Sequence, residues 1–333
     1  MSLSKPEPFP MFKLPFVALK EVLKHFEIAD LTRLTMTTRK VGSVMKFVTP
    51  RNHIHVDVKS EPVSELPCIL VSYNNQNQGP DLAMHLDTLN SESSFLSDPY
   101  GGEIKVWCPV RTSNIHFYSP RVFLYEPFIE LVKMILNVYN CPTVSVTNHR
   151  DCRQMLREIE NLDVSIKDVK CGRRERESAR DYISLMSACS NIRSLSICAD
   201  TEEGFFYRPP SRHHYQLDYL NLVSCRWMEL EDFVNCKVIE LNIEGKAKDF
   251  IQPEQLNRFL KMWMEMDEHS RIEHLNVRLP QSEKHFEVVI RGLGNGNIDN
   301  LPNEEKGVEI RSVRGKRATI GYQGDRVHFR VLG

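Results

Sequence analysis

The chain has 333 residues, 41% of them hydrophobic and 26% charged, and its formal net charge is −1. So even a balance excludes a general electrostatic pull toward nucleic acid or a membrane surface. No run reaches the ~18 unbroken apolar residues that a spanning helix needs, and the length accommodates two or three domains. The opening MSLSKPEPFP has neither the apolar stretch nor the cleavage pattern of a secretory signal. Nine scattered cysteines contain no Cys-x-x-Cys. Reduced thiols in a cytoplasmic or nuclear protein are therefore expected, with neither a disulfide framework nor a zinc site.

Residues 9–50, FPMFKLPFVALKEVLKHFEIADLTRLTMTTRKVGSVMKFVTP, read as three short amphipathic helices. Leu14 and Pro15 open the first, with proline near the first helical position, where its missing N–H is harmless. Leu19, Val22, Leu23 and Phe26 then fall at i, i+3, i+4 and i+7 on one face. Asp30 caps a second, very short helix carrying Leu31 and Leu34. A third, capped by Thr37 or Thr38, carries Val41, Val44, Met45 and Val48 and stops at Pro50. So small a unit makes a poor core alone and completes its apolar surface on something else.

This Phe-Pro and Leu-Pro start resembles an F-box, in the form common in nematode proteins, and residues 8–50 are identified as that unit. The pattern departs from many F-boxes at Val41, where an aromatic residue usually follows the basic pair Arg39-Lys40. The resemblance implies docking onto a Skp-type adaptor and, through it, a cullin, in an SCF ubiquitin ligase. Leu14, Pro15, Leu19, Val22, Leu23, Phe26, Leu31 and Leu34 would form the adaptor-binding apolar set. The other reading is a helical cap packed on the rest of the chain.

Residues 51–124 predict an irregular β-containing segment. Alternation at His53–Val58 and Leu66–Tyr73 marks strands. A polar loop over 74–102 holds a short helical piece near Asp81–Leu89, and strands return at Glu103–Cys108 and Asn114–Tyr118.

From 125 to 291 the pattern repeats. Phe128, Leu131, Val132, Ile135 and Tyr139 share a helical face. Apolar-x-apolar strands then begin at residues 144, 164, 195, 220, 241 and 275. A further helix carries Leu256, Phe259, Leu260 and Trp263 after Pro253. Strand-plus-helix units stepping by about 20–34 residues predict an α/β fold of the leucine-rich-repeat type, a degenerate solenoid. The rival is an ordinary α/β sheet with helices on both faces.

The middle residues of the triplets are Ser145, Ser165, Ser196, Asn221, Asn242 and Asn276. They point away from their apolar neighbours, so parallel strands in register would align them as an uncharged ladder. Ser196, Asn221, Asn242 and Asn276 are the candidate substrate-binding residues, because hydroxyls and amides both donate and accept. Equally, any concave sheet face tolerates small polar residues.

The stretches 219–245 and 249–279 resemble the F-box-associated domain, type 2, of nematode F-box proteins. Glu231-Asp232-Phe233 and Leu256-Asn257-x-Phe259-Leu260-Lys261-x-Trp263 carry the likeness, which implies a substrate-recruiting domain for a protein target. After a Gly/Asn-rich connector at 292–307, residues 308–333 alternate as a three-stranded meander. Its arginines suit an acidic or phosphorylated target, or are a solvated face. No cofactor, metal site or catalytic constellation is evident: GLGNGN lacks the flanking strand and helix of a phosphate loop, and Cys108 and His116 are a weak nucleophile–base pair. The expectation is a non-catalytic ubiquitin-ligase subunit, without nucleic acid or membrane as partner. A protein-interaction scaffold with no ligase link is the alternative.

Overall fold

The structure, a computed structural model, describes residues 11–37, 44–45, 54–60, 68–73, 82–88, 105–107, 114–119, 125–139, 143–148, 152–162, 164–172, 183, 185–187, 189–198, 205–211, 215–223, 228–242, 251–266, 270–279, 282–293, 299–300 and 306–332. The chain divides into two units, residues 1–145 with 158–165 and residues 146–157 with 166–333.

The first unit opens with a 3-10 turn, Met11–Lys13, then helices α1 (Phe16–Leu23) and α2 (Ile28–Thr37). Strands β1 (Ile54–Ser60), β2 (Cys68–Tyr73), β3 (Leu82–Thr88), β4 (Lys105–Trp107) and β5 (Asn114–Ser119) follow, then helix α3 (Tyr125–Tyr139). The strands lie in the order β1-β2-β3-β5-β4. All pairs are antiparallel except β3 with β5. The register lines up Val58, Ile69, Met84 and Ile115 as one apolar row, and each of these is fully buried. Helix α3 packs on β1 and buries Phe128, Leu131, Val132, Ile135 and Tyr139, the face its 3.6-residue period predicts. The helical piece expected near Asp81–Leu89 is instead strand β3. Leu82, Met84 and Leu86 alternate, and two neighbouring strands supply backbone partners that a lone helical turn would lack.

Strand β6 (Thr143–Asn148) and helix α4 (Cys152–Glu160) straddle the division between units. The second unit is built on β7 (Ser165–Gly172), β8 (Ser194–Cys198), β9 (Tyr219–Leu222), β10 (Val238–Leu241), helix α5 (Pro253–Glu265), β11 (His274–Arg278) and helix α6 (Ser282–Ile290). The chain ends with β12 (Asp299–Asn300), β13 (Lys306–Arg311), β14 (Arg317–Gln323) and β15 (Arg326–Leu332). Their order is β12-β13-β14-β15-β11-β10-β9-β8-β7. Strands β7 to β11 run parallel, and β15 then pairs antiparallel with β11 and starts the meander. The hairpin glycines Gly315 and Gly324 have φ of 81° and 61°, where L side chains are strained.

The fold class expected from sequence is corrected on two points. Among the described residues, helices of eight and ten residues and a helical fragment at Val44 and Met45 precede β1, which does not amount to a three-helix bundle. Most of the predicted third helix lies outside the described residues; of it Val44 and Met45 are described, and both are buried. The rest is a sheet-rich, mixed β structure rather than a solenoid. Between β9 and β10 the described residues hold a 3-10 turn, Leu230–Phe233, which a repeat unit tolerates; the departure lies in the sheet. The meander joins the parallel strands edge to edge, making the sheet mixed. The cause is that backbone pairing at β11 was open to a distant strand, which nearest-neighbour spacing does not reveal.

The cysteines also depart from expectation. Cys68, Cys189, Cys198 and Cys236 are reduced thiols, whereas Cys171 on β7 is disulfide-bonded.

Candidate functional site

In the second unit the parallel register decides which side chains share a line. Val169 and Cys171, Leu195 and Ile197, Leu220 and Leu222, Ile239 and Leu241, and Leu275 and Val277 all turn inward and are buried. The residues between them face outward as one row: Lys170, Ser196, Asn221, Glu240 and Asn276, continued by His328 on β15. The flanking row holds Asp168, Ser194, Tyr219, Val238, His274 and Arg330.

The row is cross-linked. Asn221 Nδ2 donates to Ser196 Oγ at 3.2 Å, and Asn242 Nδ2 donates to Asn221 Oδ1 at 3.2 Å. Arg326 Nη1 donates to Asn276 Oδ1 at 3.3 Å. Tyr219 donates its phenol proton to Glu240 Oε2 at 2.8 Å. Burial, helped by that carboxylate, pushes the Tyr219 phenol up to about 12.

The four candidate substrate-binding residues are thus all on this face, but not on one rung. Glu240 occupies the place expected for Asn242, which sits two residues further along the same face. Lys170, not Ser165, stands beside Ser196, and Ser145 is buried. The ladder therefore carries charge at two rungs. A period of two fixes which face a residue takes, while a slip of two residues leaves the inward set equally apolar; Ile239, Leu241 and Ile243 offered two such choices.

The two sequence patches behind this face are structural clamps. Arg258 Nε donates to Glu231 Oε1 at 2.6 Å, tying α5 to the 3-10 turn, and Glu231 is 5% exposed. That hydrogen bond raises the guanidinium of Arg258 further above its usual value. Asn257 Nδ2 donates to the carbonyls of Val289 and Arg291, at 2.6 and 2.9 Å, and so holds the last turn of α6. Replacing Asn257 with aspartate sets a carboxylate against two carbonyls. The expected loss is about 1–3 kcal/mol in chemical denaturation, the cost of leaving such groups unsatisfied.

Buried phenols make a second expectation. Burial raises Tyr207, Tyr215 and Tyr219 above the usual phenol value. The unfolded chain releases those protons near pH 10, while the folded chain keeps them. Stability is thus fully present below about pH 10 and falls as pH rises toward 12. Melting temperatures measured at pH 8, 9.5 and 11 should drop across the last interval, and Tyr219→Phe should blunt the drop.

The N-terminal helices present a different surface. Leu19, Leu23 and Leu31 are buried, at 2%, 0% and 4% exposure. Leu14, Val22, Phe26 and Leu34 are half-buried, and Pro15 is exposed. Helix α2 is anchored to α3: Thr32 hydrogen-bonds the hydroxyl of Tyr139, which also donates to the Ile28 carbonyl at 3.3 Å. Among the described side chains of α1 and α2, the exposed large apolar ones are Phe16, at 50%, and Val17, at 70%. Sequence reading missed both because it followed the periodic stripe, and a stripe faces the body that folds the helix. The available signal was two large apolar residues off that stripe, directly after Pro15.

Among the described residues no group of three or more His, Cys, Asp or Glu could hold a metal ion, and no helix is long and apolar enough to cross a membrane. His53, His213, His214 and Cys108 lie outside the described residues, as does the side chain of His116.

Residues 213–277 match the family model described as F-box associated. The span runs from before β9 to the last residue but one of β11, and so takes in Asn221, Glu240, Asn242 and Asn276 of the polar face, the Arg258–Glu231 clamp and Asn257, but not the carbonyls of Val289 and Arg291 that Asn257 holds. The chain is also similar to the E3 ubiquitin-protein ligase hecw-1 of Caenorhabditis elegans, 19% identical over 78% of this chain. It spans 22% of that relative's length. No solved structure matches the chain.

Proposed function

Because residues 213–277 form an F-box-associated domain, we propose that the chain is a non-catalytic, substrate-recognition subunit of a ubiquitin ligase. Its second unit would hold a protein target on the outward polar face around Ser196, Asn221, Asn242 and Asn276. Its N-terminal helices would dock a Skp-type adaptor and, through it, a cullin. Ubiquitin transfer would fall to the partner enzymes, with this chain raising the local concentration of target beside them.

The observation that carries the reading is the family match itself, since it covers β9, β10 and most of β11, the strands at the middle of the polar face. The exposed Phe16 and Val17 beside Pro15 support the adaptor link, because apolar side chains left in water at a helix start suit a protein partner. On this reading Leu14, Val22 and Phe26 extend the contact, while Leu19, Leu23 and Leu31 hold the helices in place.

A second reading keeps the polar face and drops the ligase link. The burial of Leu19 and Leu23 favours it, as a cap packed on the chain's own body buries those residues. Titration of the purified chain with a purified Skp-type adaptor separates the two. Binding supports the ligase reading, and no binding by the folded chain leaves the scaffold.

A further inference from the structure

The outward face of the second unit is electrically lopsided. Strands β11 and β15 pair antiparallel, setting His274 opposite Arg330, Asn276 opposite His328 and Arg278 opposite Arg326. All six side chains leave the sheet on the side away from Leu275, Val277, Val327 and Phe329, which are buried. The rings of His274 and His328 lie 6.3 Å apart, so the two strands form one continuous surface there.

Several arginines in this unit meet carboxylates. Arg258 meets Glu231, Arg271 meets Asp218 at 2.9 Å, and Arg278 meets Asp325 at 2.6 Å. Arg326 and Arg330 differ. Arg326 spends one N–H on the neutral amide of Asn276, and among the described residues neither guanidinium forms an ion pair. They stand four residues apart on one strand, about 13 Å along its length. In the Asn276–His328 row the nearest carboxylate, Glu240, is one strand beyond Asn276 and already accepts the Tyr219 proton; in Arg330's own row the nearest is Glu309 on β13, beyond Thr319, which pairs with Arg317 at 3.9 Å. On the other side, β14 sets Gly321 opposite His328 and Thr319 opposite Arg330, neither of them charged.

We propose that this β11–β15 surface takes an anionic stretch of the target protein, either a run of Asp and Glu or a phosphorylated segment. The inference rests on the target-binding reading of this face. Asp325 beside Arg326 is held by Arg278 and feels Arg326 only through space, so two guanidiniums that form no ion pair present forked donors that match carboxylate or phosphate oxygens. From β8 to β15 the face crosses four inter-strand steps, about 19 Å, the span of roughly six extended residues. The uncharged Ser196 and Asn221 would hold the peptide backbone, and Glu240 would turn the anionic side chains toward the arginine end.

The test uses the full chain with three labelled hexapeptides in fluorescence anisotropy: all-glutamate, serine alternating with phosphoserine, and serine alone. Binding of either anionic peptide at least tenfold tighter than the serine peptide is expected, and Arg326→Glu with Arg330→Glu should remove that margin. Which of the two anionic peptides binds tighter identifies the source of the charge. The double variant should keep its melting temperature and any Skp-type adaptor affinity. Arg326→Lys with Arg330→Lys, which retains charge without the fork, should recover binding in part. Equal binding of all three peptides overturns the proposal, as does unchanged binding by the folded double-glutamate variant. Binding of a uridine hexanucleotide as tight as the anionic peptides also overturns it, in favour of a nucleic-acid surface. Adaptor affinity is read separately, so loss of the ligase reading and loss of this one are distinguishable.

Discussion

Replacing Trp263 with alanine should lower stability by about 3–5 kcal/mol, the range for deleting a buried large aromatic side chain. Trp263 is 2% exposed and meets Phe329 edge-on with ring centres 5.0 Å apart. It closes the stripe of Leu256, Phe259 and Leu260, all buried, and joins α5 to β15 across the inward face of the sheet. An edge-to-face aromatic pair adds about 0.5–1.5 kcal/mol beyond burial, which places the loss toward the upper end of the range. Denaturant titration followed by near-ultraviolet circular dichroism measures it. Trp263→Phe, which keeps a ring for Phe329, should lose clearly less. A loss under about 1 kcal/mol for the alanine variant would show that α5 is not the element supporting the face. Because β15 carries Arg326 and Arg330, the same variant should also weaken anionic-peptide binding.

Changing Val17 to aspartate should weaken binding of a Skp-type adaptor at least about tenfold, the equivalent of ~1.4 kcal/mol. Val17 is 70% exposed, so the change costs the isolated chain little. In a docked complex it would put a carboxylate among apolar side chains, which is unfavourable without a partner charge. Leu23 behaves oppositely. It has no exposed surface, so Leu23→Asp should unfold the helical start, and any lost binding would then report on folding. Calorimetric titration of folded Val17→Asp against the unaltered chain decides the matter. Equal affinity would move the docking surface elsewhere, and the adaptor role of residues 14–17 would fall with it.

Much of the local structure was readable because it depends on near neighbours. The α5 stripe follows from Leu256, Phe259, Leu260 and Trp263 recurring at helical spacing after Pro253, and those residues are buried. The three final strands follow from alternation between glycine turns, and the chain turns at Gly315 and Gly324 as that pattern requires. The outward placement of Ser196, Asn221, Asn242 and Asn276 likewise follows from apolar flanks. None of these needs knowledge of what the residues meet across the fold.

Sequence by itself thus determined which residues turn inward, where the chain reverses, and the family to which residues 213–277 answer. Tertiary structure alone decided that Glu240 and Lys170 stand in the polar row, that β15 comes back to pair with β11, and that Leu19 and Leu23 are covered while Val17 is not. The physical reason is range. Side-chain alternation and helical period are set within a few residues, but a strand can slide by two without changing its inward set. An apolar stripe, for its part, is satisfied equally by the chain's own body or by another protein.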